Sequence, residues 1–241
     1  MKILVFSDIH ANKTALKAIL DEADNVDGYW CLGDIVGYGP DPNECVDIIK
    51  ELPNLKCVLG NHDAGALEKI DIEVFNQEAR ISSIWTKSSL SDENKSYLRT
   101  LPEYCITENV MLVHGSPRNH VWEYIFDKTI AEINFPYIET QLCFVGHTHI
   151  PSCYFNINNT VSWQILRDND LIDLKDIRAI INPGSVGQPR DRDARASYAI
   201  YDTNTFSWKQ YKINYDIHAV QERIINFGLP THHALRLLEG L

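Results

Sequence analysis

Five short strings concentrate the side chains of this chain that could hold a metal or move a proton. They are Asp8-Ile9-His10, Gly33-Asp34, Gly60-Asn61-His62-Asp63, His114-Gly115 and Gly146-His147-Thr148-His149, and they contain five of the nine histidines. In Asp8-x-His10 a carboxylate and an imidazole alternate. In an extended segment alternate residues point to one side, so both could approach one cation. His147-x-His149 repeats the arrangement with two imidazoles. Neutral imidazole and carboxylate suit Zn, Mn, Fe or Ni rather than Ca or Mg alone, and a glycine beside Asp34, Asn61, His114 and His147 lets the backbone turn sharply. Taken singly, each string has an ordinary reading: Asp34 as a turn or cap residue, Asn61 as a turn residue, His114 as a loop histidine. Paired imidazoles at 147 and 149 carry more weight, because they rarely meet without a metal.

The elements around them strengthen the joint reading, since every string follows an apolar run. Lys2 to Phe6, Gly28 to Leu32 and Leu55 to Leu59 read as strands. The segments between them, Asn12 to Glu22 (Asn12 as N-cap) and Asn43 to Leu52, read as helices. This β-α-β-α-β order implies a parallel sheet covered by helices, and in such sheets functional groups gather at the carboxyl ends of strands. Further on, 72–87 and 91–100 read as helices, then 104–107, 110–113 and 142–145 as strands. An aromatic-rich insertion at 115–141 carries Trp122, Tyr124, Phe126, Phe135 and Tyr137. The rest is β-rich, with a hairpin turn at Asp202-Thr203-Asn204-Thr205, and ends in two helices at 216–227 and 231–238. No Pro/Gly/Ser-rich linker divides the chain, so one domain over 1–241 is expected: two packed sheets with helices outside.

The ordered set Asp-x-His, Gly-Asp, Gly-Asn-His-Asp, His-Gly, Gly-His-Thr-His resembles the calcineurin-like metallophosphoesterase superfamily, with every block present. Asn182-Pro183-Gly184-Ser185-Val186-Gly187-Gln188-Pro189-Arg190 is similar to the closing motif of its small prokaryotic phosphodiesterase branch, which includes diadenosine tetraphosphatase-like members. The resemblance implies an α/β fold, a four-layer α/β/β/α sandwich of two mixed sheets flanked by helices. It also implies two divalent transition-metal ions (Mn, Fe, Zn, Co or Ni). Asp8, His10, Asp34 and His149 would hold one, and Asp34, Asn61, His114 and His147 the other, with Asp34 bridging. His62 would contact phosphate and protonate the leaving oxygen, and Asp63 would orient His62. Two metals about 3.5–4 Å apart can clamp a phosphate and generate a hydroxide near neutral pH.

Composition bounds the substrate. With 22 Lys and Arg against 33 Asp and Glu, the formal charge is −11. That repels nucleic-acid backbones at long range and favours a small phosphoester over a polyanion. The expected activity is hydrolysis of phosphodiesters or small phosphorylated metabolites, dinucleoside polyphosphates among them. The rivals are a Ser/Thr protein phosphatase and, in another class, a non-catalytic metal-binding partner subunit. Arg118 and Arg190 are candidate contacts for a second phosphate, beside Asn61 and His62. Arg192 and Arg195 read equally as a solvated charge run. Trp122 and Tyr124 could stack on a base or aryl group, with core packing as the plainer reading. The four apolar residues from Ile3 to Phe6 fall short of the about 7–15 of a signal-peptide core. No run approaches the ~20 of a membrane span. A cytoplasmic location is therefore expected. Six cysteines without a C-x-x-C pair read as reduced core residues, a thiolate metal site being the weaker alternative.

Overall fold

Alternation along the first strand decides the architecture. Leu4 and Phe6 face one apolar cluster and Ile3 and Val5 face another, and all four are buried. A strand buried on both faces needs a layer on each side. The computed structural model describes residues 1–241. In chain order the elements are β1 (Lys2–Phe6), α1 (Lys13–Glu22), β2 (Gly28–Cys31), α2 (Pro42–Glu51), β3 (Leu55–Cys57), α3 (Asn61–Ala66), α4 (Gln77–Ser89) and α5 (Asp92–Thr100). Then come β4 (Tyr104–Thr107), β5 (Val110–Val113), α6 (Lys128–Asn134), β6 (Leu142–Phe144), β7 (Ser152–Ile157), β8 (Thr160–Ile165), β9 (Leu171–Asp173) and β10 (Arg178–Asn182). The chain ends with β11 (Ala196–Asp202), β12 (Ser207–Ile213), α7 (Ile217–Asn226) and α8 (Thr231–Glu239). Short 3-10 turns occupy Ile72–Val74 and Phe135–Tyr137.

Two six-stranded sheets result, ordered β3-β2-β1-β11-β12-β9 and β4-β5-β6-β10-β7-β8. Both are mixed: β1, β2 and β3 run parallel, as do β5, β6 and β10, while the other pairings are antiparallel. Between the sheets lies an apolar core in which Phe144 meets Trp208, Tyr201 and Trp30 at ring separations of 4.9, 5.1 and 5.9 Å. The outer face of the first sheet is covered by α1, α2 and α5, through Leu16, Ile19, Val46, Ile49 and Leu98. The outer face of the second is covered by Ile125, Ala131, Phe135 and Ile138 from the 115–141 segment. The expected four-layer α/β/β/α sandwich is present, and the aromatic-rich insertion supplies its fourth layer.

Local departures from the sequence reading have simple causes. The helix expected over 72–87 is split. A 3-10 turn ends at Val74, and α4 starts afresh with Asn76, whose side chain accepts the Ala79 N–H at 2.9 Å. α3 begins inside the Gly-Asn-His-Asp string, where polar residues and Gly65 mask a helical pattern. α6 is capped by Asp127, which accepts from the Ile130 N–H. Asn12 caps α1 as expected, accepting from Ala15 N–H at 3.0 Å. All six cysteines are free, with only Cys105 partly exposed, and none belongs to a cluster that could hold a metal. No helix is long and apolar enough to cross a membrane.

Candidate metal centre

All five strings leave strands that run parallel within their sheets: Asp8 follows β1, Asp34 follows β2, Asn61 and His62 follow β3, His114 follows β5, and His147 and His149 follow β6. Parallel strands end on one side, so five separate stretches of chain deliver their side chains to one edge of the sandwich. Asp8, His10, Asp34, Asn61, His62, His114, His147 and His149 are all buried there.

Alternation in an extended segment is not how the paired groups converge. Asp8, His10, Asp34, His147 and His149 have φ of 55°, 48°, 54°, 67° and 61°. These are left-handed conformations that cost non-glycine residues of order 1 kcal/mol or more each. The expectation of an extended Asp8-x-His10 and His147-x-His149 is therefore corrected: both stretches are tight loops. Their strain is held by hydrogen bonds from the closing motif. Ser185 Oγ donates to the Asp8 carbonyl at 2.8 Å, and the Gly187 N–H donates to it at 3.0 Å. Asn182 Nδ2 donates to the Gly146 carbonyl at 2.6 Å and to Thr148 Oγ1 at 3.0 Å. Close approach also dictates glycine at two points. A Cβ on Gly60 would lie 2.1 Å from Asp34 Oδ1, and one on Gly146 would lie 2.9 Å from Asp8 Oδ2.

Two clusters, Asp8/His10/His149 and Asp34/His114/His147, are joined by a third grouping of His10, Asp34 and His62. In the first, His10 Nε2 lies 3.0 Å from His149 Nε2, and Asp8 Oδ1 lies 3.3 Å from His149 Nε2. In the second, His114 Nε2 lies 3.0 Å from Asn61 Oδ1 and 3.2 Å from His147 Nδ1. Asp34 stands between them, with Oδ2 3.3 Å from His114 Nε2 and 3.7 Å from His10 Nε2. Backbone carbonyls set the imidazole tautomers. His10 Nδ1 faces Val36 O, His114 Nδ1 faces Leu32 O, His149 Nδ1 faces Gln188 O, and His147 Nε2 faces Trp122 O. A carbonyl only accepts, so the facing nitrogen carries the hydrogen and the other ring nitrogen offers a lone pair. His10 and His149 thus present two lone pairs to each other across 3.0 Å. Asp34 Oδ2 is buried and faces only imidazole nitrogens, with no backbone or hydroxyl donor. Acceptors facing acceptors in a dry site fit cations between them, and the donor set is one that divalent transition metals take.

Protonation follows the same logic. Burial holds His10 and His147 well below the ordinary histidine range and lowers His149, leaving them in the neutral, ligating form. At His114 burial works the same way, but the Asp34 carboxylate, and then Asp8, lift it to about 9. With no metal bound, His114 thus carries a second proton on Nε2 facing Asp34 Oδ2 at 3.3 Å, the position a cation would take over. Burial would raise Asp8, yet His149 beside it brings it down to about 2.

The calcineurin-like phosphoesterase superfamily domain matches residues 1–205. The chain belongs to that family. Among solved structures, a metallophosphoesterase from Sphaerobacter thermophilus is 44% identical, covers 100% of this chain and 99% of its own, and superposes with a TM-score of 0.92. An uncharacterised protein of Methanocaldococcus jannaschii is 40% identical, the match covering 99% of this chain and 98% of that protein. A symmetrical bis(5'-nucleosyl)-tetraphosphatase of Proteus mirabilis is 37% identical over 47% of this chain and 43% of its own length.

Four expected site residues of this phosphoesterase-family chain, His62, Asp63, Arg118 and Arg190, differ in what their side chains meet. His62 lies at the centre, its ring stacked on Phe75 (4.8 Å, 8°) and tilted against Tyr38 at 4.3 Å, with Nδ1 unpartnered. Asp63 does not orient it. The Asp63 carboxylate accepts the Val36 and Gly60 N–H groups, each at 3.0 Å, and so braces the loop that carries Asp34 and the start of α3. Arg118 is spent on Glu123, with Nε donating to both carboxylate oxygens at 2.9 and 2.8 Å. Its hydrogen bonds go to that loop rather than to the metal clusters, and a second-phosphate role is not what its geometry presents. Arg195 is likewise tied to Asp193 and Asp168. Arg190 differs. Its guanidinium lies 5.9 Å above the Tyr38 ring, Nη2 donates to Gln188 Oε1 at 2.8 Å, and its buried Nε has no acceptor.

The sequence reading passed over Tyr38, Phe75 and His233. Tyr38 touches the rings of His10, His62 and His233 at 4.7, 4.3 and 4.9 Å. His233, brought in by α8, also pairs with Ser82 Oγ at 2.7 Å. Of the three, only the glycines flanking Tyr38 hinted at a special loop, and Tyr38 does take φ of 58°.

Proposed function

We propose that this chain is a two-metal phosphoesterase that hydrolyses phosphodiesters or small phosphorylated metabolites, dinucleoside polyphosphates among them. The observation that carries the reading is Asp34 Oδ2, buried and facing only imidazole nitrogens of the two clusters. Asp8, His10, Asp34 and His149 would hold one divalent ion, and Asp34, Asn61, His114 and His147 the other. Such a pair supplies charge to neutralise a phosphate and lowers the pKa of water toward neutrality.

The remaining work falls to protein groups. His62, unpartnered at Nδ1 and clasped by Phe75 and Tyr38, is placed to meet a phosphate oxygen and pass a proton to the leaving group. Burial pushes it down to about 4 in the free protein, although the Asp34 charge opposes this. An arriving phosphate raises its proton affinity, so it gains a proton as substrate binds. Arg190 offers a free donor beside Tyr38 for a second anionic group. The net charge of −11 leaves the surface unattractive to long nucleic acids. The similarity to a tetraphosphatase over 47% of the chain agrees with a small nucleotide substrate. The direct test is hydrolysis of bis-p-nitrophenyl phosphate and a panel of nucleotides, with and without added Mn²⁺. Metal-dependent turnover is expected. No turnover with any divalent metal would overturn the reading in favour of a non-catalytic metal-binding subunit.

A further inference from the structure

The second sheet leaves an aromatic cleft beside the metal-binding edge. Ile125, Phe126, Thr148, Tyr154 and Trp163 are among the residues that line its volume of about 180 Å³. Thr148 is the residue between His147 and His149, so the floor of this cleft and the proposed metal site share one loop. Phe126 and Trp163 are large apolar side chains left 54% and 48% exposed at its rim. Each is the end of a stack. Phe126 lies parallel to Tyr124 (4.9 Å, 7°), which lies on His147 itself (3.6 Å, 18°). Trp163 lies on Tyr154 (6.2 Å, 21°), whose hydroxyl donates to the Ile125 carbonyl at 3.1 Å and fixes the wall.

The rings expected to stack on a base are already engaged. Trp122 packs against Phe75 at 5.3 Å, and Tyr124 covers His147. The free faces belong to Phe126 and Trp163. The volume is below the roughly 300 Å³ at which pockets for whole drug-sized ligands begin. It suits one ring system of a ligand whose phosphate sits elsewhere. Exposed aromatic faces bind flat π-systems by stacking, without demanding one base.

We propose that this cleft binds the nucleobase of the phosphoester substrate. The inference rests on the phosphoesterase reading above and narrows its substrate class to nucleotides. Adenosine 5'-monophosphate and ribose 5-phosphate share the phosphate and sugar and differ only in the base. Titrated calorimetrically into the Mn²⁺-loaded protein, the nucleotide should bind about 10-fold more tightly or better. A Phe126→Ala, Trp163→Ala double variant should lose that preference and keep its affinity for ribose 5-phosphate. Both side chains are half exposed, so the variant should keep the native circular dichroism spectrum.

Equal affinities in the wild-type protein, with bis-p-nitrophenyl phosphate still hydrolysed, would overturn the cleft assignment and leave the phosphoesterase reading standing. A base preference that survives in the double variant would also overturn it. If neither phosphate binds and no ester is hydrolysed, both readings fall together.

Discussion

Asp34 accepts the backbone N–H of His62 through Oδ1 at 2.8 Å. This one bond fixes the carboxylate plane and turns Oδ2 into the gap between the two imidazole clusters. It also ties the residue proposed to bridge the metals to the residue proposed to handle the proton, so a change at either is felt at both. Asp34→Asn keeps the acceptor for His62 N–H but can present an amide nitrogen to the gap. Metal content, measured by plasma emission after desalting, should drop below two ions per chain. Phosphoesterase activity should fall more than about 100-fold, beyond what supporting residues typically contribute. Full occupancy with near-normal turnover would remove Asp34 from the bridging role.

His62→Asn should leave metal content unchanged, because Asp8, His10, Asp34 and His149, and Asp34, Asn61, His114 and His147, still offer both proposed ligand sets although His62 lies within reach of His10 and Asp34. The kcat should drop about 10²–10⁴-fold, the usual worth of a positioned acid. An aryl ester with a good leaving group should suffer least. A uniform loss across leaving groups, accompanied by metal loss, would make His62 a ligand instead.

Asp63 makes a different prediction from the one its place beside His62 suggests. Its removal strands the buried Val36 and Gly60 N–H groups, and each orphaned donor costs about 1–3 kcal/mol. Asp63→Ala should therefore lower the urea-unfolding free energy by about 2–6 kcal/mol, with Asp63→Asn intermediate. Unchanged stability with reduced kcat would return Asp63 to a role through His62 alone.

Arg190 and Arg118 should separate experimentally. Arg190→Ala should raise KM for substrates with more than one phosphate about 10-fold or more, in line with a hydrogen bond to a charged group. Simple p-nitrophenyl esters should be affected less. Arg118→Ala breaks the Glu123 fork and should leave that discrimination intact. Equal losses on both substrate types for Arg190→Ala would argue against a second-phosphate contact.

The metal-free protein should lose stability in acid for a definite reason. Burial depresses His62 and His233 to about 4 in the folded state, against about 6.5 unfolded. Between those values the unfolded chain binds more protons, so stability falls as pH drops through that window. The slope is up to about 1.4 kcal/mol per pH unit for each histidine. His114, held up at about 9, acts oppositely: its contribution is full below about 6.5 and is lost as pH rises through about 9. Asp63, pushed up to about 7 by burial, acts like His114 between about pH 4 and 7 and offsets one of the two histidines there. Urea melts in chelator from pH 4 to 9 should still show a maximum between these limits, and His233→Gln should flatten the acid limb. A flat profile below pH 6.5 would mean these histidines are not buried neutral.

Much of the site was legible because each string follows a short apolar run. Such runs become parallel strands, and parallel strands end together. Asp8, Asp34, Asn61, His114, His147 and His149 could thus be gathered from strand ends alone. Left-handed φ at Asp8 and His147 could not be read this way. Neither residue type demands it, and bonds from Ser185, Gly187 and Asn182 hold the loops there. His233 was invisible for another reason. It lies 151 positions from its partner Ser82 and sits in an ordinary amphipathic helix, so nothing local marks it. The insertion's helix α6 was hidden because its few apolar positions pack against strands far away in the chain.

The sequence by itself determined the strand ends, the candidate donor types and the family. Those rest on local apolar runs and on donor chemistry, and both are properties of neighbouring residues. Only the tertiary structure decided which imidazole nitrogen faces inward, that Asp63 braces a loop, and that Arg190 rather than Arg118 keeps a donor free. Those outcomes depend on which backbone carbonyls and N–H groups lie across the fold to satisfy each side chain. That is set by packing two sheets against each other, where residues far apart in the chain compete for the same partners.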